Sequence, residues 1–289
     1  MAGKGKGNDR DERRSILITG CSSGIGRACA LGLMARGWRV FATARREEDI
    51  EDLNGLGLEA LYLDYDEPES IAACVSEVVR RTGGRLDALF NNGAYGQPGA
   101  VEDLTREVLR RQFETNLFGW HDLTRQVIPV MRAQGHGRIV NNSSVLGLVA
   151  MKWRGAYNAS KFALEGLTDT LRLELRGSGI HVILIEPGPI WSKFTETALK
   201  HFEANIDIEH SPYREIYEAR RRRLAGKEKP NPFKLPPEAV LKKLIHALES
   251  PRPKPRYFVT VPTHVMAFLR RILPTRALDA ILDRASDRT

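Results

Sequence analysis

From residue 15 onward, short apolar runs alternate with longer amphipathic stretches, and the two periods assign the elements. "SILITG" reads as a buried strand closed by glycine, and "IGRACALGLMARG" as a helix stopped at Gly37. "RVFATAR", "LEALYLD" and "LDALFNNG" supply the second, third and fourth strands, with helices near Glu47–Leu53 and Glu69–Thr82 between them. A long helix is predicted near Arg106–Arg132, then the strand "GRIVNNSS", a helix carrying "YNASK", the strand "HVILIEPG" and a seventh strand at "RYFVT". Strands that are apolar throughout, separated by helices, are covered on both faces, as in a parallel sheet. The expected fold is therefore α/β, one domain over 15–262 built on a doubly wound parallel sheet of about seven strands with helices on both faces.

Three segments fall outside this rhythm. Residues 1–14 carry charge and glycine without an apolar run and are expected to form a disordered tail. Residues 190–237, punctuated by Pro212, Pro230, Pro232, Pro236 and Pro237, follow a strand end, where such sheets bind ligands, and are expected to form a substrate lid. Ile190, Trp191, Phe194, Phe202, Tyr213 and Tyr217 would give that lid an apolar lining suited to a sizeable ketone or alcohol, or a small core of its own. Residues 263–289 place apolar side chains at helical spacing among arginines, with Pro274 expected to kink or divide them. This extension suits packing on its own domain or a dimer partner, and second to these an anionic membrane surface.

Composition narrows the function classes. A chain of 289 residues with 42% hydrophobic and 28% charged residues buries one large core, and no run approaches a membrane span. Cys21, Cys29 and Cys74 are odd in number and widely spaced, which predicts reduced thiols in a cytoplasmic protein. The seven histidines show no metal-ligand spacing, so no metal is expected. The net charge of +8 is concentrated near the C-terminus, where residues 251–289 hold eight Lys/Arg against three Asp, and the basic run 220–223 lacks interleaved aromatics. Nucleic acid is thus not an expected partner.

Between the first strand and the first helix stands "TGCSSGIG", with glycines at 20, 24 and 26. Such a loop turns tightly, lets backbone approach a phosphate, and presents free N–H groups at a helix start. Gly20, Ser22, Ser23, Gly24, Ile25 and Gly26 are assigned to a dinucleotide, which makes the fold Rossmann-type. The second strand ends in "ATARRE": Ala44 stands where a carboxylate would serve NAD(H), and Arg45 and Arg46 would suit the 2′-phosphate of NADP(H). Asp64, closing the third strand with Tyr65 beside it, is placed against the adenine.

Tyr157 and Lys161 lie one helical turn apart on one face, so a cation is held near a phenol. A free phenol is a poor proton exchanger at neutral pH, and lowering it by about three units needs roughly 4 kcal/mol. Lys161, with the positive ring of an oxidised nicotinamide, could supply this.

The T-G-x-x-x-G-x-G loop, "NNGA" after the fourth strand, a serine thirteen residues before Y-x-x-x-K and "PG" after the sixth strand together resemble the short-chain dehydrogenase/reductase family, in its steroid- and retinol-handling branch. The match runs from about Ser15 to Thr260. The resemblance implies a catalytic set of Asn116, Ser144, Tyr157 and Lys161, with Ser144 bonding the substrate oxygen, Ser143 as its structural alternative, and Asn116 holding a water that links the lysine to solvent. It also implies that Lys161 grips the nicotinamide ribose, and that Asn92, Gly93, Pro187, Gly188, Ile190 and Ser192 border the dinucleotide. "NNGA" exchanges the last two residues of the family's usual order, and Ser192 replaces a frequent threonine; both keep the needed small size or hydroxyl.

The expected activity is NADP(H)-dependent hydride transfer between nicotinamide and a carbonyl or secondary alcohol, by a homodimer or homotetramer. A nucleotide-sensing binding protein without turnover is the rival of another class, and a membrane-docked scaffold a third.

Overall fold

The computed structural model describes residues 13–225 and 231–288. The predicted tail therefore lies almost wholly outside the described residues, as does the segment 226–230 of the predicted lid. Seven parallel strands form one sheet: β1 (Ser15–Ile18), β2 (Arg39–Ala44), β3 (Glu59–Tyr62), β4 (Ala88–Asn91), β5 (Gly137–Asn142), β6 (Ile180–Glu186) and β7 (Arg256–Phe258). Their order is β3-β2-β1-β4-β5-β6-β7, so the chain winds outward from β1 in one direction and then from β4 in the other. The order reverses between β1 and β4, whose C-terminal ends open the crevice where ligands bind in such sheets.

Helices cover both faces. On one side α1 (Gly24–Met34), α2 (Glu47–Gly55) and α9 (Glu238–Glu249) bury Leu33, Leu53, Val240 and Leu244 against Ile16, Ile18 and Phe90. On the other, α3 (Pro68–Thr82), α5 (Gly119–Gln134) and α6 (Gly155–Glu174) bury Val78, Trp120, Val127 and Leu164 against Leu17, Phe41, Leu89 and Ile139. Alternate residues of β1 thus point into different cores, and that is why its sequence is apolar throughout.

The helix expected over 106–132 is divided. α4 (Arg106–Phe113) passes through a π-helical turn at Glu114–Phe118 before α5 begins. A single widened turn leaves the apolar period almost unchanged, so the sequence pattern did not reveal it. It buries Thr115, Asn116 and Leu117.

The lid contains α7 (Phe194–Asn205) and α8 (Arg214–Ala225), and its base is pinned by pairing of Ile190 with Leu235. Most of its aromatics serve the lid rather than an open wall. Phe202, Ile206 and Tyr217 form a third core with Ala100, joined by Tyr213 and by Trp153 from the loop before α6. Ile190 belongs to the main core, and Trp191 is half exposed under the Lys234 ammonium. The Tyr217 hydroxyl donates to Asp103 at 2.5 Å and accepts from the Ala100 amide at 2.7 Å. Tyr217→Phe is expected to cost about 1–3 kcal/mol by stranding the Ala100 amide and leaving Asp103 with Ser211 as its remaining donor, read as a lowered chemical-denaturation midpoint with an unchanged slope.

After β7 the chain forms α10 (Val261–Ile272) and α11 (Thr275–Arg288), separated at Leu273–Pro274. α11 packs on the domain: Leu282 and Ser286 are buried, the Ser286 hydroxyl accepts from the Lys152 amide, and its carbonyl accepts from Arg220. α10 leaves Val261, Val265, Phe268 and Ile272 exposed along one stripe. Among the described residues no helix is long and apolar enough to cross a membrane.

Candidate active site

The glycine loop is shaped by contacts that exclude side chains. Gly20 has φ +68°, and a Cβ there would lie 2.6 Å from Gly93 Cα. One on Gly26 would lie 2.2 Å from the Gly20 carbonyl oxygen. Gly24, the first residue of α1, has φ +56° and faces Ser192. Ser22 is exposed, and Ser23 takes the N-cap position without making a side-chain cap, so it leaves the N–H groups of the first turn to an anion. The cradle fits a dinucleotide pyrophosphate.

Beneath it, Thr19 ties the loop to β4. Its hydroxyl accepts from the Asn92 amide at 2.8 Å and the Gly93 amide at 3.1 Å, and the Asn92 side chain donates to the Thr19 carbonyl at 2.9 Å. Asn142, closing β5, donates to Asn92 at 2.9 Å. The Tyr65 ring, expected at the dinucleotide, is buried; its hydroxyl donates to Thr19 at 2.7 Å, which makes the side chain a strut under the loop. Arg45 lies 3.6 Å from Asp64. Arg46 caps α2 from outside, pairing with Asp49 at 2.7 Å, so its guanidinium is engaged on its own helix. Pro187 accepts from the Val145 amide, and Gly188 is forced by Thr260, whose hydroxyl would lie 2.1 Å from a Cβ there. Ile190 is buried and Ser192 accepts weakly from the Phe194 amide.

α6 turns Ala156, Ser160, Lys161, Leu164, Glu165 and Thr168 inward, a stripe at helical spacing whose small members let the helix approach the sheet. Tyr157 borders this stripe. Ser144, in extended backbone after β5, turns its hydroxyl toward Tyr157 and accepts from the Leu146 amide at 3.1 Å. Ser143 turns the other way, toward Glu165, so the two candidate serines are separated by direction. Lys161 is fully buried: Nζ donates to the Asn142 carbonyl at 2.9 Å, lies 4.4 Å from the Trp120 ring centroid and 5.7 Å from that of Tyr157. Phe194 of the lid meets Tyr157 edge to face at 5.3 Å.

The electrostatics differ from the sequence expectation. Burial pushes the Tyr157 phenol up to about 12, against the opposing pull of Ser144 and Arg154. Burial likewise brings Lys161 down to about 7, with Glu165 favouring its charged form. Within the chain's own groups the phenol is thus held in its protonated, donating form.

Asn116 fixes the segment after β4 to α6. Its side-chain oxygen accepts from the Tyr95 amide at 3.2 Å, and its nitrogen donates to the Tyr95 carbonyl at 2.8 Å and to Ser160 at 3.3 Å. Trp120 and Asn142 are neighbours of the site that the sequence did not single out; a tryptophan just after "TNLF" is indistinguishable there from core.

Residues 14–202 match the family model described as short chain dehydrogenase. With the glycine cradle, the sheet and the Ser144–Tyr157–Lys161 cluster, this places the chain in the short-chain dehydrogenase/reductase family, whose members are oxidoreductases. It is 43% identical over 270 residues to the uncharacterized oxidoreductase YbbO of Escherichia coli, covering 93% of this chain and 94% of that one. It is 33% identical to human retinol dehydrogenase 8, over 83% of this chain and 79% of the other. A variant of actinorhodin polyketide ketoreductase solved with NADPH superposes with a TM-score of 0.69 at 30% identity, over 86% and 96% of the two chains.

Proposed function

We propose that this protein is an NADP(H)-dependent oxidoreductase acting on the carbonyl or secondary alcohol of a sizeable apolar compound. The observation that carries the reading is the cluster of the Tyr157 and Ser144 hydroxyls, which face each other, with the Lys161 ammonium behind the Tyr157 ring. When bound, the dinucleotide supplies or accepts the hydride at the substrate carbon. In reduction, Tyr157 donates its proton to the substrate oxygen, Ser144 hydrogen-bonds the same oxygen, and Lys161 opposes the negative charge left on the phenol. Protonated Tyr157 suits this direction. The edge of Phe194 over the phenol and the apolar lid favour a large, poorly hydrated substrate, as the retinol dehydrogenase likeness does. The experiment is a panel of long-chain ketones, aldehydes and alcohols followed by nicotinamide absorbance, with Tyr157→Phe as control; turnover retained in that variant would refute the assignment.

The preference for NADP(H) over NAD(H) rests on Ala44, Arg45 and Arg46. Replacing both arginines by alanine is expected to weaken NADPH binding by about 10- to 100-fold and leave NADH nearly unchanged, measured by fluorescence titration. Equal weakening of both would remove the basis for the preference. The assembly proposed is a homodimer or homotetramer, for which exposed Leu109, Phe118, Leu167 and Leu173 on α4–α6 offer apolar surface. The stripe on α10 is a second face for such a contact, or for a membrane surface.

A further inference from the structure

Behind Lys161 lies a group of charges that hydride transfer does not use directly. Arg256, on β7, points one guanidinium nitrogen at both Glu165 of α6 and Glu186 of β6, and its other terminal nitrogen at Asp169 of α6, at 2.6 Å. Glu186 is fully buried and Glu165 nearly so. Each keeps one carboxyl oxygen buried without a hydrogen-bond partner of full geometry. Asp169 is shared with Arg172, and the Ser143 hydroxyl lies beside Glu165. Two buried carboxylates and a third, part-exposed one therefore face one guanidinium, with Lys161 as the next cation, one helical turn before Glu165.

Two buried anions against one shared cation are costly, and a proton held by the carboxylates relieves the excess. We propose that Glu165 and Glu186 hold a single proton between them across Arg256, and that through Glu165 this pair sets the charge on Lys161, making both glutamates positioning residues for proton transfer at Tyr157. Burial raises both carboxyls above their ordinary range, and the Glu165 charge raises Lys161 in turn. A proton on Glu186 leaves Glu165 ionised and Lys161 charged. A proton on Glu165 removes that support. The inference rests on the reading of Tyr157 and Lys161 given above.

Two variants should act in opposite directions. Glu165→Gln removes the anion nearest Lys161, so the alkaline limb of the kcat profile is expected to move to lower pH. Glu186→Gln leaves Glu165 as sole proton competitor, ionised, so the limb should move to higher pH. Displacement in the same direction, or none in variants that melt cooperatively, overturns the proposal. The wild-type protein supplies a separate readout: infrared titration should show a protonated carboxyl stretch at neutral pH that disappears well above the range of surface carboxylates. Absence of that band also overturns the proposal. The infrared measurement needs no turnover and no variant, so it distinguishes failure of the proton pair from failure of the enzymatic reading.

Discussion

Tyr157→Phe is expected to lower kcat by about 10²- to 10⁴-fold while dinucleotide affinity stays within about threefold of the wild type. The removed atom is the hydroxyl that faces Ser144; the ring stays, and with it the contacts to Phe194 and the nearby ammonium of Lys161. The loss should therefore fall on the chemical step. Stopped-flow single turnover, compared with fluorescence titration of the nicotinamide, separates the two quantities. A variant that loses affinity as much as rate would mean that the phenol serves binding, and the proton donor would have to be sought elsewhere. The alkaline form of the wild type bears on the same point. With the phenol held near 12, carbonyl reduction should keep its proton donor throughout the neutral range, so any loss of rate near pH 7–8 reports Lys161, brought down to about 7 by burial.

Gly26→Ala should weaken dinucleotide binding by about 10- to 100-fold. Its Cβ would stand 2.2 Å from the Gly20 carbonyl oxygen and 2.8 Å from the Asn92 side-chain nitrogen. The carbonyl cannot swing away without disturbing Gly20, which is held at positive φ against Gly93. Overpacking of this kind costs about 1–3 kcal/mol, equivalent to about 10- to 100-fold in affinity if the strain is relieved by distorting the loop. Isothermal titration with NADPH measures it directly, and the rise in melting temperature given by saturating NADPH should shrink in parallel. Alanine at Gly55, where a Cβ meets nothing within 4 Å, is the matched control and should bind normally.

The sheet was legible because its strands are apolar without interruption, and the glycine loop because its backbone needs cannot be met by other residues. What escaped the sequence depends on side-chain direction. Ser143 and Ser144 are chemically alike neighbours; only the extended backbone after β5 sends one to Tyr157 and the other to Glu165. Asn116 was singled out, but its amide is committed to Tyr95 by a π turn that leaves no clear trace in the apolar period. The exposed pairing of Arg46 with Asp49, one turn along, is likewise a matter of side-chain direction that the sequence does not show. The electrostatics of Lys161 were hidden for a related reason: spacing showed that it is near the phenol, and only the packing of Trp120 and Asn142 around it shows how far burial depresses its charge.

The third core, formed by Phe202, Ile206, Tyr217 and Ala100, gives the lid a source of cohesion separate from the two cores that support the sheet. Stability on the nucleotide side and stability over the substrate are consequently stored in different clusters of side chains. A lineage could exchange the outer cluster, altering which molecules are admitted, while the machinery that handles the redox nucleotide stays as it was.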